Sequence, residues 1–191
     1  MQLVRLILAS ASLRRAELLA SAGFAFDVIP ADVPETPADG ESAADYTMRV
    51  ARQKAQAVAA TLDEQDAVLL AADTEVVADR RILGKPANAG EAAEMLRLLS
   101  GSEHDVLTAV VIRAQGQELS DVVWTRVRFI RLTAEDIDWY VASGEPMGKA
   151  GAYGIQGLGA RFIDRIEGSW ANVVGLPVHR VAELLKSLGV R

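Results

Sequence analysis

The 191-residue chain has no cysteine, only two histidines, 5% aromatic residues and fewer basic than acidic side chains (20 against 26, net charge −6). Without cysteine there can be no disulfide framework, thiol nucleophile, thiolate zinc site or iron–sulfur cluster. His104 and His179 lie too far apart in sequence to suggest a histidine metal site, and His104 beside Asp105 reads as half of a surface pair. The acidic balance argues against a binder of nucleic acid or of a membrane surface, since both need a surplus of Lys and Arg. The grouped arginines 126, 128 and 131 alternate with Val127 and Phe129, the pattern of the solvated face of a half-buried strand. Long hydrophobic runs are also missing. The first apolar stretch, Leu3 to Ala11, is broken by Arg5 and followed by Arg14 and Arg15. It is too short to span a bilayer and carries its charges on the wrong side for a secretory signal, so the expectation is a cytoplasmic protein. No GxxxxGK[ST], GxGxxG behind a strand, GxSxG or HExxH occurs.

What is present describes a folded chain. Half of the residues are hydrophobic and 24% charged, too apolar for disorder. The length suits one domain over 1–191, able to bury roughly 70% of the unfolded surface. LVRLILAS reads as a buried strand, followed by a helix capped by Ser12 and ended by Gly23. FAFDVIPAD is a second strand candidate, running into the loop DVPETPADGE. Ser42 with Asp45 resembles a capping box, and the helix behind it presents Ala51, Ala55, Val58 and Leu62 on one face. DAVLLAAD is a buried strand that reaches Asp73. Asn88 with Glu91 opens a helix closed by Gly101. VLTAVVI and VVWTRVRFIRL, separated by a turn at Gly116, form a hairpin. Thr133 with Asp136 starts a short helix, the glycine-rich GKAGAYGIQGLG follows, and then come a strand (ARFIDRI), a turn at Gly168 and a last helix near Pro177. Helices alternating with buried strands predict an α/β fold with a mixed twisted sheet and flanking helices.

Charged groups at the ends of these elements are the candidates for chemistry. Ser10, Ser12, Arg14 and Arg15 sit where the first strand meets the first helix. A helix N-terminus offers unpaired N–H groups and partial positive charge, and guanidinium matches phosphate oxygens in pairs. An ordinary cap with solvated arginines would give the same sequence. Asp73 follows a buried run and is placed at the C-terminal end of its strand, where open α/β sheets hold ligands; a cap or turn is the other reading. Glu75 reads as solvated, the other reading being that the strand continues and Glu75 shares Asp73's face with Thr74 on the opposite one. Lys85 sits in the stiff loop ILGKPAN, suited to a phosphate or simply to a surface turn. Lys54 lies beside a buried helix face, where snorkelling accounts for it. Glu35, between two prolines, could ligate a metal or be exposed.

In order along the chain, LILASASLRRAELL, DVPETP, LLAADTEVV, ILGKP, SGSEHDVLTAVVI, KAGAYGIQGLGARFI and GSWANVVGLP occur. Together they resemble the Maf family of nucleoside triphosphate pyrophosphatases, over nearly the whole chain from Leu6 to Pro177. GAYGIQG and NVVGLP are the most specific blocks. The resemblance implies a fold related to the inosine triphosphate pyrophosphatases, with two lobes around a cleft, and commonly a homodimer. It implies hydrolysis of a nucleoside triphosphate to the monophosphate and pyrophosphate with a divalent cation, Mg²⁺ or Mn²⁺. Asp73 matches the family's proton acceptor and Ser10, Arg15, Glu35, Lys54 and Lys85 the polar positions around the triphosphate and metal, with the metal on Asp73 and Glu35. Arg14, Thr74 and Gln156 match the three positions that separate substrate branches, and this combination resembles the dTTP/UTP branch.

Gln156 has a physical reading within that resemblance. A uracil or thymine edge sets an N–H donor beside a carbonyl acceptor, which one amide can match. Guanine sets two donors side by side, which suits a carboxylate; an unpaired polar group on the wrong base discriminates against it. A backbone-bonded structural role for Gln156 is the alternative. Leu13, where the family has proline, Glu75, where it has an apolar residue, and Trp170, where it has tyrosine, depart from the pattern. Aspartate is a weak base at neutral pH, so the metal is expected to share in activating water. A nucleotide-binding regulator of cell division, a septum-formation inhibitor with little or no turnover, is the competing expectation.

Overall fold

The structure, a computed structural model, describes residues 5–62 and 67–190. Leu3, Val4 and Asp66 of the anticipated strands lie outside the described residues. Among the described residues, seven strands hydrogen-bond into one mixed sheet in the order β2-β1-β3-β5-β6-β7, with β4 on β3. They are β1 Arg5–Leu8, β2 Asp27–Val28, β3 Ala67–Ala78, β4 Arg81–Leu83, β5 Glu103–Ala114, β6 Gln117–Phe129 and β7 Ile163–Glu167. The helices are α1 Leu13–Ser21, α2 Ala43–Ala59, α3 Ala89–Leu99, α4 Ala134–Ala142, α5 Trp170–Val174 and α6 Val178–Ser187. The expected mixed α/β class is therefore the observed one. No helix among the described residues is long and apolar enough to cross a membrane.

The chain divides into two compact units. The first takes the described parts of Met1–Asp73, Thr108–Val123 and Gly175–Arg191. In it β1 pairs parallel with both β2 and β3, and the alternation of side chains sorts the apolar residues into two layers. Leu6, Leu8, Val68, Leu70, Ala72, Val110 and Ile112 pack with Leu19 of α1 and Val181, Leu184 and Leu185 of α6. Ile7, Ala9, Leu69, Ala71, Ala109 and Val111 face the other way, onto Ala51, Ala55 and Val58 of α2. Helices on both faces explain why these strands read as unbroken apolar runs. Leu62 lies past the end of α2 yet packs on the same layer.

The second unit takes Thr74–Leu107 and Trp124–Val174. Its core gathers Val76, Leu83, Leu96, Leu99, Phe129, Tyr140, Tyr153 and Phe162. β3 and β4 form a hairpin, Val76 opposite Leu83 and Ala78 opposite Arg81. Its two turn residues, Asp79 and Arg80, both have positive φ (48° and 61°). That turn usually carries glycine or asparagine.

The local signals are realised at most helix starts. Ser12, Ser42, Asn88 and Thr133 each accept the backbone N–H three residues on. The reciprocal capping box forms at Thr133–Asp136, whereas Ser42 Oγ donates directly to Asp45 Oδ2 at 2.6 Å. Two strands are shorter than expected. β2 keeps only two residues, because Pro30 follows with no N–H to donate. ARFIDRI is a 3-10 turn through Phe162 and a strand only from Ile163.

Candidate active site

In the first unit, β1 ends at Leu8 and the chain turns through Ser10 into α1. Ser10 and Arg15 are both buried. Ser10 Oγ accepts from Ser12 N and from Arg15 Nη1, each at 3.2 Å. Arg15 Nε donates to the Gly175 carbonyl at 2.8 Å, 160 residues away. The guanidinium is thus fixed at the helix N-terminus by groups from both ends of the chain. Arg14 beside it is half-buried. Leu13 is 78% exposed, so replacing proline there removes no group from the arrangement.

Lys54 projects from the buried face of α2, and its ammonium is gripped rather than snorkelling to water. Nζ lies 2.7 Å from Asp73 Oδ1 and 2.6 Å from Glu35 Oε1. Lys54 and Asp73 are both buried, while the Glu35 side chain is 32% exposed. An ion pair away from water is costly unless its geometry is good, and here one cation serves two anions. Asp73 Oδ2 is buried and has no hydrogen-bond partner. An oxygen in that state is suited to receive a water proton or a hard cation. Two carboxylates, completed by phosphate oxygens, fit the small donor set that Mg²⁺ or Mn²⁺ takes in phosphate chemistry. Among the described residues no group of three or more His, Asp or Glu side chains forms a metal cage.

Three sequence expectations need correcting. Asp73 is not at the end of its strand, because β3 continues to Ala78. Glu75 is not solvated but buried; the continuing strand turns it to the same side as Asp73 by simple alternation. His104 is not at the surface but buried, its Nε2 2.8 Å from the Tyr153 hydroxyl and its ring edge-on to Phe129 and Tyr153. Burial holds its pKa down at about 4, so the ring is neutral. Asp105 turns instead to Arg126, at 3.2 Å.

In the second unit, Thr74 is half-buried on β3, Lys85 is exposed just after β4, and Gln156 is exposed in the glycine-rich loop. The exposed Arg126 and Arg128 alternate with buried Val127 and Phe129, as the solvated-face reading expects.

The Maf-like protein family model matches residues 5–188. The chain belongs to the Maf family. A relative from Anaeromyxobacter dehalogenans (strain 2CP-1 / ATCC BAA-258) is 52% identical, over 97% of this chain and 94% of its own length. One from Syntrophotalea carbinolica is 50% identical over 96% and 84%, and one from Hahella chejuensis 48% identical over 98% and 94%. Each of the three is named dTTP/UTP pyrophosphatase. The solved Staphylococcus aureus Ham1 protein is similar at 14% identity and TM-score 0.45, over 65% of this chain and 71% of that one, too slight a likeness to argue from.

Within this Maf chain the structure adds residues that sequence reasoning passed over. The Gly175 carbonyl holds Arg15; it lies in the quoted NVVGLP block, but a carbonyl leaves no side-chain signal. Asn172 of the same block is fully buried and donates to Val106 O and Thr125 Oγ1, both at 3.0 Å. Glu145 and Tyr140 bind the glycine-rich loop. Their bonds span up to 14 residues, beyond any periodic pattern.

Proposed function

We propose that this Maf-family chain hydrolyses dTTP and UTP between the α and β phosphates, releasing the nucleoside monophosphate and pyrophosphate. One observation carries the reading: a buried aspartate, Asp73, has one oxygen on Lys54 and the other uncommitted. It occurs in a chain about half identical, nearly end to end, to proteins named for that activity.

In this reading Asp73 orients a water and accepts its proton as the water oxygen bonds to the α-phosphorus and the bond to the bridging oxygen breaks. Lys54 holds the carboxylate through Oδ1 and leaves Oδ2 for the water. Ser10, Arg15, Lys54 and Lys85 bind the phosphates, where their cations and the N-terminus of α1 offset the charge that builds on pyrophosphate. Arg14, Thr74 and Gln156 select the base, with the Gln156 amide matching the donor and acceptor of a uracil-type edge. Mg²⁺ or Mn²⁺, held by Asp73 and Glu35, supplies Lewis acidity and a more acidic water when bound. The working form is taken to be a cytoplasmic homodimer with no nucleic-acid or membrane partner.

The test is pyrophosphate release from UTP, dTTP, CTP and GTP with Mg²⁺ and with Mn²⁺. Turnover of UTP and dTTP ahead of the rest is expected. Stoichiometric nucleotide binding without pyrophosphate would mark a regulator instead, and a preference for GTP would sink the role of Gln156.

A further inference from the structure

In the second unit, the loop from Gly154 to Gly159 carries Gln156 and is held by the side chains of Glu145 and Tyr140. Glu145 Oε1 accepts the Tyr140 hydroxyl at 2.9 Å and the Gly159 N–H at 3.1 Å. Glu145 Oε2 accepts the Leu158 N–H at 2.8 Å. The Tyr140 hydroxyl in turn accepts the Gly154 N–H at 3.1 Å. Both ends of the loop therefore hang on two side chains, one in α4 and one just beyond it.

The packing is tight enough to dictate the loop's composition. A Cβ on Gly157 would collide with the Glu145 carboxylate, and one on Gly159 would stand 2.7 Å from the Tyr140 hydroxyl. Two of the glycines of the GIQGLG stretch are therefore there to admit the Tyr140–Glu145 pair. Burial would raise the Glu145 carboxyl, but the Leu158 and Gly159 amides and the Tyr140 hydroxyl outweigh it and hold it below the usual range. It thus acts as an anion, and bonds from neutral donors to an anion are the stronger kind.

We propose that Glu145, assisted by Tyr140, is a positioning residue for base recognition: it fixes the loop backbone so that the Gln156 amide meets the base in one orientation. An amide discriminates only while its oxygen and nitrogen are correctly placed, and a displacement of about 1 Å at such a contact is enough to forfeit it. The assignment rests on the reading of Gln156 given above. It makes Glu145 a determinant of selectivity although it touches no substrate.

The experiment compares Glu145→Ala, Gln156→Ala and the double variant, measuring kcat and KM for UTP and for GTP. Glu145→Ala is expected to raise KM for UTP about tenfold while kcat changes less than about threefold. Its ratio of kcat/KM for UTP over GTP should fall to that of Gln156→Ala, and the double variant should be no less selective than Gln156→Ala alone. An unchanged ratio in Glu145→Ala, or losses that simply add in the double variant, would overturn the proposal. Should Glu145→Ala not fold, Glu145→Gln and Tyr140→Phe each disturb part of the clamp; a ratio between wild type and Gln156→Ala supports it and a wild-type ratio overturns it. A wild-type protein inert toward UTP and dTTP sinks the pyrophosphatase reading and this role with it. An active wild type with indifferent Glu145 variants sinks this role alone.

Discussion

Lys54 and Asp73 are joined across 19 residues by an ion pair of 2.7 Å, with their side chains only 8% and 7% exposed. Such a pair is poor evidence of a stabilising device, because desolvation offsets much of the attraction. Its placement, with Glu35 on the same ammonium and Asp73 Oδ2 unbonded, is better explained by chemistry.

The two partners should therefore respond differently to substitution. Asp73→Asn keeps an oxygen for Lys54 and leaves Glu35 on the ammonium, so urea unfolding should shift by about 1 kcal/mol or less. Pyrophosphate release from UTP should fall about 100-fold or more, the loss of a general base. Lys54→Met strands a buried carboxylate and should cost about 3–5 kcal/mol in stability. Near-wild-type turnover by Asp73→Asn would remove this residue from the reaction.

Arg15→Lys tests the helix N-terminus. One ammonium cannot reproduce the fork that joins Ser10 Oγ to the Gly175 carbonyl. The expected result is a KM for UTP raised about tenfold, with stability lower by about 1–3 kcal/mol. Steady-state kinetics beside a urea titration read both.

His104 makes stability depend on pH in a defined window. Its folded pKa, about 4, lies below the ordinary 6.5 because burial disfavours the charged ring. Between those values the unfolded chain binds the extra proton, so stability rises with pH. The contribution is full above pH 6.5 and is lost as pH falls toward 4, on the order of 3 kcal/mol in all. Replacing His104 with Gln, which can still bond Tyr153, should flatten that slope in urea unfolding at pH 4 to 7. A slope unchanged by the substitution would exclude His104 as its source.

Gly151 has φ of +67°, and a Cβ there would meet the two γ-methyls of Val76 at 2.9 Å. Gly151→Ala should cost about 2–4 kcal/mol, combining left-handed strain with overpacking. Adding Val76→Ala should return part of it by making room. Thermal denaturation of the single and double variants measures the recovery.

Much of the fold was legible because its signals are local. Ser12, Asn88 and Thr133 each bond an N–H three residues away, and the apolar run of β3 needs only helices on both faces to be buried. The β3–β4 hairpin was not legible, because its turn is made by Asp79 and Arg80 in conformations that neither residue advertises. The polar residues were harder still. Local pattern leaves Glu75 between a solvated face and that of Asp73, because it does not say how far the strand runs. It treats His104 as exposed, since nothing nearby in sequence offers to bury it. The strand that carries Glu75 onward and the Tyr153 hydroxyl that meets His104, 49 residues away, are what bury the two.

By itself the sequence determined the α/β class, the capped helices, the two-faced strands and the ordered blocks by which the chain belongs to its family. Only the tertiary structure decided that Lys54 is gripped by Glu35 and Asp73, that Arg15 hangs on Gly175, and that Glu145 holds the loop of Gln156. The reason is one of range. Periodicity and caps are set by neighbours within a few residues, whereas the burial and pairing of a charge depend on groups that meet only when distant segments fold together.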